Sequence, residues 1–123
     1  MRVLIVGGLG GQIGAASQIA MSRGAEVTQA DTIEKGLEAL RSGNGASLVM
    51  ADVELDIGQL IAGLEAERIT IPVVACGVGT DTRAAVRAIK AGAREYIPLP
   101  PDSELIAAVL TAVSEDDHRL IYK

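Results

Sequence analysis

Aromatic side chains are nearly absent from this chain of 123 residues: Tyr96 and Tyr122 are the only two, with no Phe and no Trp. Binding platforms for single-stranded nucleic acid need flat rings on which bases stack, and this composition argues against that class. Positive charge is scarce as well. Eleven Lys and Arg stand against 16 Asp and Glu, a net charge of −5, the wrong sign for gripping a phosphate backbone. Cys76 is the lone cysteine and His118 the lone histidine, so an internal disulfide and a zinc-type Cys/His set are both excluded. No long apolar run occurs near the start: Val3-Leu4-Ile5-Val6 stops at Gly7-Gly8, too short for a signal sequence or a membrane span. The expectation is a cytoplasmic protein with no membrane contact and no direct nucleic-acid binding.

What is present is 49% hydrophobic and 22% charged residues, enough for one compact core. Short apolar runs alternate with segments of helical period. Val3–Val6 reads as a strand buried on both faces, and Glu26–Ala30, Leu48–Ala51, Val73–Cys76 and Tyr96–Ile97 are four more strand candidates, the last with the least signal. Between them, Ile13, Ala16 and Ala20 share a helical face that Gly24 ends. Ile33, Leu37 and Leu40 follow Asp31-Thr32-Ile33-Glu34, which has capping-box spacing, with Gly43 as the stop. Ile57, Leu60, Ile61 and Leu64 form the fullest stripe. Val86 and Ile89 follow the cap candidates Thr80-Asp81 and precede Gly92. Leu105, Ile106, Val109, Leu110 and Val113 follow Pro100-Pro101-Asp102. Five βα units predict an α/β, flavodoxin-like doubly wound parallel sheet of order 2-1-3-4-5 with helices on both faces. The domain is expected over residues 1–113, with 114–123, including the charged run around His118, as the start of a linker.

In such sheets, ligands bind beyond the carboxyl ends of the strands, beside the point where strand order reverses. The residues offered there are Gly7-Gly8, Asp52, Gly77-Val78 and Leu99-Pro100. Leu48-Val49-Met50-Ala51-Asp52-Val53, Pro72-Val73-Val74-Ala75-Cys76 and Ala91-Gly92-Ala93-Arg94-Glu95-Tyr96-Ile97-Pro98-Leu99-Pro100 carry a resemblance to a response-regulator receiver domain of the CheY-like type. Within that class, the chain resembles the amino-terminal domain of NtrC-type activators of sigma-54 RNA polymerase. Asn44-Gly45-Ala46 and Glu65-Ala66-Glu67-Arg68 add a likeness to its flagellar members.

The resemblance implies a phosphoacceptor position at Asp52, a switch aromatic at Tyr96 and a Lys-Pro step at Leu99-Pro100. It also implies an AAA+ ATPase domain and a helix-turn-helix DNA-binding domain beyond Lys123. Its partners would be that ATPase domain and a regulatory protein of the FliX type linked to flagellar assembly, with a second copy of the chain as a further candidate. The departures are chemical. Gly7 and Gly8 stand where receivers carry an acidic pair, Gly77 where they carry Thr or Ser, and Leu99 where they carry Lys. Asp52 alone is a poor anchor for Mg²⁺, which wants near-octahedral oxygen ligands. Phosphoryl transfer also relies on cations to neutralise developing charge. The reading is a non-enzymatic pseudo-receiver without metal or cofactor, in which Asp52 is capped by loop N–H groups. A phosphoaccepting receiver using Asp52 is the alternative.

A competing motif is Gly8-Leu9-Gly10-Gly11-Gln12-Ile13-Gly14, a GxxGxxG run after a strand, with Asp31 about twenty residues on, as in dinucleotide-binding folds. No catalytic set accompanies it, and Asp31 is also explained as a cap. Cys76, inside an apolar run, reads as a small buried hydrophobe. Two helical surfaces suit a protein partner. One is the uncharged helix from Gln12 to Ser22, where Gln12, Gln18, Ile19 and Met21 fall off the core face; the other is the basic stripe Arg83, Arg87 and Lys90.

Overall fold

The protein is described from a computed structural model, which covers residues 1–44, 46–78, 82–99 and 103–121. The strands are β1 (Arg2–Val6), β2 (Glu26–Ala30), β3 (Leu48–Asp52), β4 (Val73–Val78) and β5 (Glu95–Leu99). The helices are α1 (Ile13–Ser22), α2 (Ile33–Ala39), α3 (Ile57–Ala66), α4 (Thr82–Ala91) and α5 (Ser103–Ile121). All strand pairs are parallel, in the order β2-β1-β3-β4-β5. This is the doubly wound sheet the alternating pattern predicts.

Strand residues alternate between two cores, as the pleat requires. Val3, Ile5, Leu48, Met50, Val74, Cys76, Ile97 and Leu99 pack with α1 and α5. Leu4, Val6, Val49, Ala51, Val73 and Ala75 pack with α2, α3 and α4. The helix ends repeat one device. Ala25 N–H reaches Ala20 O, Ile69 N–H reaches Leu64 O and Ala93 N–H reaches Ala88 O. The residue before each of these donors, Gly24, Arg68 or Gly92, has positive φ, so each helix closes in a left-handed cap. β5 is an edge strand, and that is why it tolerates Pro98, which has no N–H to donate.

Four local expectations are corrected. Thr32, not Asp31, caps α2: its hydroxyl accepts from Lys35 N–H at 3.1 Å, while Asp31 pairs with Lys35 on the surface. Gly43 lies inside a π-helical turn spanning Leu40–Asn44 instead of beyond the helix end. α4 buries Ala84 and Ala88, whose small side chains let it approach the sheet, and turns Val86 and Ile89 outward. β5 is five residues long where the sequence shows two. The backbone helix of α5 runs on through residues 114–121. The cap candidates Thr80-Asp81 and Pro100-Pro101-Asp102 lie outside the described residues, as does Tyr122.

Candidate functional site

Asp52 closes β3 at the carboxyl rim and is only 8% exposed. Its Oδ1 accepts the N–H of Glu54 at 2.9 Å, and its carbonyl accepts the N–H of Leu55 at 3.0 Å. The chain thus folds back on the aspartate in an Asx-type turn. Among the described residues no buried side-chain oxygen or nitrogen lacks a partner, so burying this carboxylate needs no ligand.

On the β1 side, Gly7 adopts φ +90°. A Cβ there would stand 2.8 Å from Asp52 Cβ and 3.1 Å from Leu55 Cδ1, so Asp52 and Leu55 together close the space a side chain at position 7 would need. Gly8 differs, with open space around it; its lack of an acid is chemical, not steric. Leu9 is fully buried in the α1/α5 core although its φ is +52°. Strain of roughly 1–3 kcal/mol at such a residue is offset by about 1.5–3 kcal/mol from burying a leucine. Leu99 is buried too and presents no cation to the rim. Leu55 and Val53 are the rim-filling residues that sequence reasoning missed; they follow β3 in a turn, where no periodicity marks a packed side chain, and Leu9 reaches the core from a single 3-10 turn (Leu9–Gly11).

On the β4 side, Gly77 lies within the strand and is buried. Tyr96 is half-buried in the α2–α4 core, and its hydroxyl end lies over Gly77. Cys76 pairs with Asp52 across β3 and β4. Burial pushes its thiol up to about 12, helped by the charge of Asp52; this is an inert thiol.

Receiver chemistry would ask this rim to hold Mg²⁺. Among the described residues, no three of His, Cys, Asp or Glu come together as a metal set. Asp52 stands without the acidic neighbours an octahedral oxygen site needs, and the residues present do not fit the ion. The dinucleotide reading also loses its supports. Gly11 and Gln12 donate their N–H groups to Gly8 O and Leu9 O, at 3.0 Å each. A Cβ on Gly14 would meet nothing, so this glycine does not serve close helix–strand packing as the fingerprint requires.

The proposed contact surfaces separate. On and just before α1, Gln18 and Met21 are exposed, Gln12 is half-buried, and Ile19 is half-buried with part of its side chain against the core. On α4, Arg83, Arg87 and Lys90 are exposed beside Val86 (51%) and Ile89 (46%), an apolar pair flanked by cations.

Compared with known proteins, the chain matches no family model. Over all 123 residues it is 54% identical to the "Transcriptional regulatory protein FlbD" of Caulobacter vibrioides, of which it spans 27%. Among solved structures it is similar to NtrX from Brucella abortus, with TM-score 0.85 and 22% identity over 98% of this chain and 28% of that one. The receiver domain of NtrX gives 0.79 and 23%, covering 92% and 98% of the two chains. A response regulator from Chloroflexus aurantiacus gives 0.79 and 19%, covering 91% and 95%. The chain has the fold of receiver domains and is similar throughout to one part of a transcriptional regulatory protein.

Proposed function

We propose that this receiver-fold chain is a non-catalytic regulatory module of a flagellar, sigma-54-dependent transcription activator, working by protein contact and not by Mg²⁺-dependent phosphorylation of Asp52. The observation that carries this reading is the rim itself: Leu55 stands against Gly7, and Asp52 is folded into its own turn. In this reading the module is cytoplasmic and acts on a downstream AAA+ domain of the same protein. A FliX-type regulator, or a second copy, biases how the two domains pack. The exposed Val86 and Ile89 supply apolar area, and Arg83, Arg87 and Lys90 select an acidic partner surface. A partner shifts the equilibrium only by as much as it prefers one packing over the other.

The test is made in the full-length regulator. Asp52→Asn keeps an acceptor for Glu54 N–H and is expected to leave transcriptional output within about twofold of wild type, under 0.5 kcal/mol. Arg83→Glu with Arg87→Glu is expected to lower output or partner retention by about tenfold. Loss of output with Asp52→Asn, and none with the double charge reversal, would establish the phosphoaccepting reading instead.

A further inference from the structure

We infer that Gly77 pins Tyr96 in a single inward position, so that β4, β5 and the turn after β3 form a permanent latch. Tyr96 pairs with Ala75 in the β4–β5 register and lies on the same face of the sheet. Gly77 is the next β4 residue on that face, one pleat nearer the rim. Ala75 and Gly77 thus leave a shallow trough along β4, floored by one methyl group and bare backbone. The tyrosine ring lies along it and ends with its hydroxyl over Gly77. A Cβ at position 77 would stand 3.1 Å from Tyr96 Cζ, 2.7 Å from Val53 Cγ1 and inside the contact limit of the hydroxyl. A side chain at 77 and an inward Tyr96 therefore exclude each other.

The trough wall is fixed as well, because Val53 N–H donates to Cys76 O at 2.8 Å. Moving the ring outward would empty the trough, and a void loses dispersion contacts with no compensation. The inward position thus needs no ligand, and the surface beside α4 keeps one shape. The inference concerns the domain alone and holds whether or not Asp52 is phosphorylated.

Tyr122→Phe leaves Tyr96 as the sole tyrosine in a chain without tryptophan, so its fluorescence and ring NMR signals report one site. Adding Val53→Ala to every arm removes the second neighbour of position 77. Acrylamide quenching of Tyr96 is expected to be weak and unchanged by Mg²⁺ with acetyl phosphate. Gly77→Ala is expected to raise quenching about twofold or more and to shift the ring resonances. If Gly77→Ala unfolds the domain, the Tyr96→Ala background decides: there the same change is expected to raise the unfolding constant less than about threefold, against tenfold or more with Tyr96 present. Equal quenching in the folded chains with and without Gly77→Ala, or equal destabilisation in both backgrounds, overturns the latch.

Discussion

The glycines of the β1 loop and the glycines that flank Asp52 do different work. Gly8, Gly11 and Gly14 spell a nucleotide-binding motif, yet a Cβ on any of them would meet nothing within 4 Å. Gly7 and Gly77 belong to no motif, and both are crowded, the first by Asp52 and Leu55, the second by Tyr96 and Val53. The difference teaches that spacing alone does not tell a glycine that admits a ligand from one that admits a neighbouring side chain. At this rim the tight glycines mark places that neighbouring side chains already fill.

The contrast can be broken most forcefully at Gly7. Gly7→Ala places a Cβ at φ +90° against Asp52 and is expected to cost about 2–4 kcal/mol, read from chemical denaturation. An effect under about 0.5 kcal/mol would mean the rim is looser than described.

Cys76, beside Gly77 and opposite Asp52, sharpens the same side. Labelling of its thiol at neutral pH is expected to be about a hundredfold slower in the folded chain than in denaturant. Its folded value lies above the ordinary 9.0, so the stability it contributes is full below about pH 9 and is lost as pH rises toward about 12. Cys76→Val should flatten that part of the alkaline curve.

On the loose side, Gly14→Ala should stabilise by up to about 1 kcal/mol, since α1 gains propensity and no clash. The smallest effect is expected for Gly8→Asp, within about 0.5 kcal/mol, measured by thermal melting; one restored acid leaves Leu55 in place.

Much of the frame is legible in the sequence because buried parallel strands read as short apolar runs, and β3, expected over Leu48–Ala51, spans Leu48–Asp52 and is buried throughout. α4 misleads because Val86 and Ile89 dominate a hydrophobic pattern, whereas Ala84 and Ala88 do the burying and carry little signal. The α2 cap falls one residue from its expected place because Asp31 and Thr32 are both good caps. Asp56-Ile57-Gly58-Gln59 carries the same signature ahead of α3, unread in the sequence; Asp56 Oδ1 accepts Gln59 N–H at 3.0 Å. At the site, Gly7, Gly8, Gly77 and Leu99 are visible in the sequence as rim positions without a polar side chain. The side chains that fill the space beside Gly7 and Gly77 are not, because Leu55 and Val53 reach them through turn geometry that no period encodes.

The most direct test of the closed rim is a Mg²⁺ titration of the folded domain, followed by amide NMR at Asp52, Val53 and Gly8, with and without acetyl phosphate. The account predicts small, non-saturating shifts and no covalent phosphate on Asp52 by mass spectrometry. Saturable shifts centred on those amides, with stoichiometric phosphorylation of Asp52, would contradict it.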